Sequence, residues 1–272
     1  MRKTLLILAI VCVAIMSCNG GKNAAGSDAD TLGVDSQQLA PFTYDSISIE
    51  KKDTALEISI RVDYPTGGPH ELVDTLLNFI ADELHVARKD AKDRKKLLNA
   101  AVEKGRELML PNREEQLEFM GAETPTYYYN YNVKVETETE DYVTYTVTYE
   151  EYQGGAHGGY VITGTTFYKS DARRLDWSSF KNTSSKAFQK ILKDGLYDYF
   201  GEYDKGMTDA DLKDILISVD DINNIPRPQF APYLTPRGMV FTYQQYEIAA
   251  YAAGLPSFIV PYEKISSFLK KP

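Results

Sequence analysis

The sequence predicts an α+β fold: a two-part module of antiparallel sheets packed with helices, preceded by a signal peptide and a flexible tether. Three observations carry this expectation. Apolar and polar residues alternate through 47–62 and again through 129–149, the period of half-buried strands. Between and after those runs the apolar residues recur at helical spacing. The order of strands, helices, strands and helices lacks the regular βαβ alternation of a parallel sheet.

The first residues set the location. Arg2 and Lys3 precede an apolar run from Leu5 to Met16. A bilayer span needs roughly 20 apolar residues, so this run is too short to cross. A charged start and a short apolar stretch read as a secretory signal over residues 1–17. The run ends Ile15-Met16-Ser17-Cys18, the lipobox pattern in which the cysteine thiol is lipidated and the chain is cut ahead of it. Met16 is a loose fit to that pattern, and Cys12 fits worse because bulky Val11 precedes it. Cys18 is therefore the expected lipid attachment. The expected location is the bacterial cell envelope, lipid-anchored and extracytoplasmic. Cys12 would leave with the signal, so the mature chain would hold no free thiol for a disulfide, a thiolate metal site or a cysteine nucleophile.

Residues 18–41 are rich in Gly, Ala, Ser and Asp with almost no large apolar side chain, the composition of a flexible tether. About 22 such residues reach on the order of 25 Å. The folded part divides into 42–168, ending in a Tyr-rich antiparallel sheet, and 169–272.

The elements follow in order. Ile47 and Ile49 belong to a first strand, and Leu56, Ile58, Ile60 and Val62 to a second, with Lys51-Lys52-Asp53-Thr54 as the turn. Pro65 to Gly68 ends the second strand, and Pro69 suits the first turn of a helix. Leu72, Val73, Leu76, Leu77, Ile80 and Leu84 make one buried face, with His85 late in the same helix. A second helix carries Leu97, Leu98, Ala101 and Leu108 and is expected to break at Pro111, leaving a short piece from Arg113 to Met120. Tyr129, Tyr131, Val133 and Val135, then Val143, Tyr145, Val147 and Tyr149, form a hairpin with one polar face. Its Tyr-rich face is either core or a binding surface, core being the commoner fate of such alternation. Helices follow at Ser184–Phe200 and after the capping box Thr208-Asp209-Ala210-Asp211. Strands at Tyr233–Thr235, Met239–Tyr243 and Ser257–Val260 precede a closing helix from Tyr262 to Leu269.

Composition excludes several function classes. The chain has 272 residues, 43% hydrophobic and 25% charged, which is globular and excludes a wholly disordered, collagen-like or multi-span protein. Lys+Arg 30 against Asp+Glu 39 gives a charge of −9 and a pI near 5.0. Nucleic acid calls for basic patches, so it is not an expected partner.

Chemistry-bearing motifs are few. His70-Glu71-Leu72-Val73-Asp74 resembles a zinc-protease helix but lacks the second histidine, and Glu71 is explained by the helix N-terminus. Asp220 to Asn224 offers oxygen ligands without EF-hand spacing. Arg88 to Lys96 is a basic run whose commonest meaning is a solvated helix face. No nucleophile elbow, phosphate loop or dinucleotide fingerprint is present. No catalytic residue, cofactor or metal is assigned.

The segment Tyr152-Gln153-Gly154-Gly155-Ala156-His157-Gly158-Gly159-Tyr160 stands out. Four glycines in six residues between two strands permit positive φ and close backbone approach. As a functional feature this is a nest for an anion or a sugar, with His157 as donor. As a structural feature it is a tight connection whose histidine packs against a neighbouring strand. The candidate ligand-binding residues are His157, Gly154, Gly155, Tyr152 and Tyr160.

That segment resembles the Y-x-G-G-A-H motif of an extracytoplasmic module found in RsiV-type lysozyme-sensing anti-sigma factors and in PdaC-type peptidoglycan deacetylases. The later stretches Leu234–Phe241, Tyr246-Glu247-Ile248-Ala249, Tyr251-Ala252-Ala253-Gly254 and Val260-Pro261-Tyr262 resemble the end of the same module. The resemblance implies the module's fold over roughly Phe42 to Leu269. It also implies a binding or sensing role toward a lysozyme-like protein or peptidoglycan fragments. Neither a sigma-binding segment nor a deacetylase domain is recognisable, so the expectation is a binding module alone on a lipid anchor. Two competing expectations are a cell-wall glycan-modifying enzyme centred on His157 and a structural envelope protein that docks a partner through the Tyr-rich sheet.

Overall fold

Strand β1 (Thr43–Lys52) turns through an Asp53 whose Oδ1 accepts the amides of Ala55 and Leu56 at 2.8 and 2.9 Å. It then pairs antiparallel with β2 (Leu56–Gly67). The computed structural model describes residues 40–121, 124–201, 206–217 and 219–270. The signal segment, Cys18 and the tether up to residue 39 lie outside the described residues.

Pro69 caps helix α1 (His70–Glu83), which buries Leu72, Leu76, Leu77 and Ile80. His85 is not in that helix. It lies just beyond the end at φ 55°, in the left-handed region where helices commonly terminate. Helix α2 (Arg94–Met120) corrects a second expectation, because it runs through Pro111. Its buried stripe, from Leu97 to Met109, lies wholly before the proline, which is exposed. The turns after Pro111 are held from outside. Asn112 Nδ2 donates to Gln153 Oε1, Gln116 Nε2 donates to the Gln153 carbonyl at 2.9 Å, and Arg113 reaches the Thr54 carbonyl at 3.4 Å. Tertiary hydrogen bonds thus offset the roughly 3 kcal/mol that an interior proline costs.

Strands β3 (Tyr127–Glu138), β4 (Tyr142–Tyr152) and β5 (Gly159–Tyr168) complete a five-stranded sheet in the order β1-β2-β3-β4-β5. β2 and β3 pair in parallel, because the long connection through α1 and α2 returns the chain to the end where β2 began. The other neighbours are antiparallel. The Tyr-rich face is core: Tyr127, Tyr129, Tyr131 and Tyr145 are all buried with β2, α1 and α2. Docking through that face therefore has no surface to use. The cations of the Arg88–Lys96 run are all solvent-exposed, as expected, but only Arg94 to Lys96 lie on a helix. The run spans the turn before α2 and the helix's first turn, where Arg88 pairs with Asp82 at 2.7 Å and Arg94 pairs with Asp45 at 2.7 Å and covers the Tyr64 ring.

The second core gathers around helix α3 (Lys186–Phe200), whose Phe188, Leu192 and Leu196 are fully buried. Each such side chain contributes about 1.5–3 kcal/mol relative to exposure. The α3 face packs on a second sheet, β6 (Tyr233–Thr235), β7 (Gly238–Thr242) and β8 (Ser257–Val260), all antiparallel. A Cβ on Gly195 would fall 2.1 Å from the Phe258 ring, so only glycine allows this approach. Helix α4 (Asp209–Ile215) starts on the expected capping box, Thr208 and Asp211 bonding reciprocally. Helix α5 (Tyr262–Ile265) is short and passes into a 3-10 turn.

The two cores meet across β4 and β5. Thr144 and Thr166 belong by alternation to the polar face, yet both are fully buried. Thr144 Oγ1 lies 2.9 Å from the Leu234 carbonyl, and Thr166 Oγ1 accepts the Leu234 amide at 2.9 Å. β6 thus covers one end of the polar face and leaves the other end open.

Candidate functional site

The open end is built first by the turn at 153–158, which joins β4 to β5. Gly154 and Gly155 have φ of 83° and 87°, a backbone that side chains rarely adopt. α2 holds this turn through Asn112 and Gln116, and Tyr152 donates its hydroxyl to the Gly155 carbonyl at 3.1 Å. Gly158 is needed for another reason. A Cβ there would lie 2.3 Å from the Glu151 carbonyl oxygen and 2.8 Å from the Tyr128 hydroxyl.

The second part comes from the segment after β7. β5 is an edge strand, and an open edge invites pairing with other chains. Gln244 closes it, accepting the Ile162 amide at 3.2 Å and donating to the Ile162 carbonyl at 2.8 Å. Gln245 Oε1 accepts the Tyr160 amide at 3.1 Å. The Gln244 amide in turn donates to Glu247 Oε2 at 2.7 Å, which tightens a turn around Tyr246. Tyr246 sits at φ 61°, a strained backbone for an aromatic residue, with its ring 55% exposed.

These two segments bring three rings together. The His157 imidazole stacks on Tyr251 with centroids 3.8 Å apart and planes 22° apart. Tyr246 lies 5.8 Å from Tyr251, and its hydroxyl is 3.3 Å from His157 Nε2. His157 Nδ1 is 3.1 Å from the Gly158 carbonyl, which only accepts, so this nitrogen carries the proton. Nε2 is then the acceptor for the Tyr246 hydroxyl. Tyr251 also donates to the Gly158 carbonyl, at 3.3 Å.

Beside the three rings lies a second pair. Tyr128 and Tyr152, paired across β3 and β4, stack with centroids 5.8 Å apart. Burial raises the Tyr128 phenol above its ordinary pKa, and the charges of Glu150, Tyr251 and Tyr152 add to this. Tyr160 is raised by burial and by Glu150. These phenols stay protonated at neutral pH and serve as hydrogen-bond donors rather than bases.

All five candidate residues of the sequence reading lie at this end of the sheet. His157, Gly154 and Gly155 belong to one turn, Tyr152 ends β4 just before it, and Tyr160 follows on β5. The histidine packs on a 3-10 turn, Tyr251–Ala253, and not on a strand. Tyr246, Tyr251, Tyr128 and Gln244 were not singled out as site residues. Two of them stood in the later motif, and the signal was an aromatic pair in a segment without strand or helix periodicity. No carboxylate pairs with His157 among the described residues, and its ring nitrogens meet a carbonyl and a phenol. Among the described residues no group of three or more His, Cys, Asp or Glu could hold a metal ion. The arrangement offers stacking faces, donors and acceptors to a ligand; it does not assemble a base with its orienting acid.

Comparison with known proteins extends this. No curated protein matches the chain. A solved DUF3298 family protein from Bacteroides fragilis is similar at 25% identity and a TM-score of 0.65, covering 85% of this chain and 94% of that one. A second, from Pseudomonas aeruginosa, is similar in fold at 16% identity and a TM-score of 0.55, with the same coverage. Residues 180–263 match the family model described as "Protein of unknown function (DUF3298)", a span that contains Tyr246 and Tyr251 but not His157. Residues 180–263 are thus similar to the DUF3298 family model, within a fold like that of solved DUF3298 proteins.

Proposed function

We propose that this chain is a non-catalytic binding module of the bacterial cell envelope, held to a membrane through lipid on Cys18. Its binding surface is the His157–Tyr246–Tyr251 platform, and its ligand is a lysozyme-like protein or a peptidoglycan fragment. The observation that carries this reading is the exposed, strained Tyr246 hydrogen-bonded to His157 from 89 residues away. Strain persists only where the surrounding structure enforces it, and it clusters at ligand sites. β1 begins at Thr43, which pairs with Gly67, whereas the platform lies at the opposite end, where Lys52 pairs with Glu57. Ten residues of strand at about 3.3 Å each put roughly 33 Å between them.

Calorimetric titration of residues 19–272 with a c-type lysozyme, and separately with muropeptides, tests the reading. Saturable heat with either ligand supports it. No heat with both removes it, and release of a modified glycan from the muropeptides would replace it with an enzyme.

A further inference from the structure

The polar face of the five-stranded sheet, next to the platform, forms an open groove of about 470 Å³ floored by Ser59, Arg61, Asn130, Asn132, Thr148 and Glu150. That size lies within the range of small-ligand sites. We infer that this groove is a binding site for an uncharged oligosaccharide, with the Tyr128–Tyr152 pair, one step further along the same face from Asn130 and Glu150, as an apolar flank beyond its lining. The inference names a ligand class for the end of the sheet that the proposed function already uses, and it rests on that reading.

Charge argues for the ligand. The protein as a whole carries −9, yet the groove is balanced. Glu50, Glu57 and Glu150 line it together with the cations Lys52 and Arg61, while Lys51 borders it from the strand face that carries Ile58. Four of these are paired off, Lys52 with Glu57 at 2.6 Å and Arg61 with Glu50 at 3.3 Å. With two ion pairs neutralising most of its charge, the groove attracts ions weakly, which favours a neutral ligand.

Hydrogen-bonding capacity argues the same way. Among the described residues the side chains of Asn130, Asn132 and Glu150 form no hydrogen bond or ion pair within the protein. Each amide offers both a donor and an acceptor, and the carboxylate offers acceptors. The strand register sets Arg61 beside Asn132 and Asn130 beside Glu150. Neighbours across strands are about 4.8 Å apart and neighbours along a strand about 7 Å, so the groups form a grid. Mixed donors and acceptors on a grid beside flat aromatic faces match a chain of hydroxylated rings, whose edges hydrogen-bond and whose C–H faces pack on tyrosine. β6 covers the same face only at Thr144 and Thr166, which leaves the stretch with Asn130, Asn132 and Glu150 uncovered by it.

The test is a heteronuclear NMR titration of the module with chitotetraose, cellotetraose and maltotetraose. The expected result is saturable shifts of the Asn130 and Asn132 side-chain amides with at least one tetrasaccharide. Affinity should fall at least tenfold in Asn130→Leu/Asn132→Leu and stay within twofold in Lys190→Ala, an exposed position on α3 away from the groove. The first pair faces solvent, and an unchanged spectrum elsewhere confirms its fold. No saturable shift at about 10 mM of any of the three sugars overturns the inference. Shifts confined to His157, Tyr246 and Tyr251 also overturn it, while leaving the platform intact as the binding surface. Conversely, groove shifts together with no lysozyme or muropeptide heat would remove the proposed ligands and keep the groove.

Discussion

The imidazole of His157 lies face to face with the phenol ring of Tyr251, 3.8 Å between centroids, and both contact the same Gly158 carbonyl. This contact ties the turn after β4 to the segment after β7, two pieces that belong to different cores. The platform therefore exists only when both parts are folded and docked. Its stability is drawn from the glutamine pairing of β5 and from the cover of β6.

His157→Ala removes one exposed stacking partner, worth about 0.5–1.5 kcal/mol. The melting temperature should fall by only about 2–4 °C for a domain of this size. A thermal melt checks this, and a fall of more than about 10 °C would make the histidine a structural element instead.

The glycines of the turn should differ from one another. At Gly155 an added Cβ meets nothing within 4 Å, so Gly155→Ala costs only the left-handed backbone, roughly 1–2 kcal/mol. At Gly158 it meets backbone and must move the strand end that carries His157. Urea unfolding should show Gly158→Ala losing at least about twice as much stability as Gly155→Ala. Equal losses would mean that the turn yields easily at Gly158.

Alkaline pH should unfold the protein. Burial lifts Tyr131 and Tyr233 to about 12, with Glu83 adding to the first and Glu136 to the second, and lifts Tyr145 and Tyr243 further. A folded pKa above the unfolded value near 10 means that the folded state holds its protons longer. The stability this contributes is complete below pH 10 and is lost as pH rises through 12. Tyrosinate absorbance should therefore rise in two stages, the second coinciding with loss of circular dichroism. Titration of all 20 tyrosines together near pH 10 with the fold intact would contradict the buried Tyr face.

Charge makes a kinetic prediction for the protein ligand. The acidic chain should attract a basic lysozyme by long-range steering, which salt screens over about 10 Å at 0.1 M. Stopped-flow association should slow sharply between low and physiological salt. A salt-independent rate would show that contacts, and not the field, bring the partners together.

Much of this architecture was legible in the sequence. Strand alternation located β1 to β4, helical spacing located α1 and α3, and Thr208 with Asp211 marked the start of α4. Three features were hidden. Pro111 lies inside α2 because bonds from the Gln153 turn and Thr54 hold the helix beyond it, and no local rule contains those partners. The parallel β2–β3 pair depends on where a long connection returns. Thr144 and Thr166 look solvent-facing by alternation and are buried by a strand 68 residues further on. The site was half legible: glycine spacing marked the turn that carries His157, whereas Tyr246 and Tyr251 join it only through the docking of the second core.

The account stands most directly on the platform. The decisive measurement is the calorimetric titration of the His157→Ala/Tyr246→Ala double variant beside the wild type, with c-type lysozyme and with muropeptides. The account predicts saturable binding of at least one ligand by the wild type and a loss of at least tenfold in affinity in the double variant, about 1.4 kcal/mol. Equal binding by both proteins would place the binding surface elsewhere on the fold and contradict the claim.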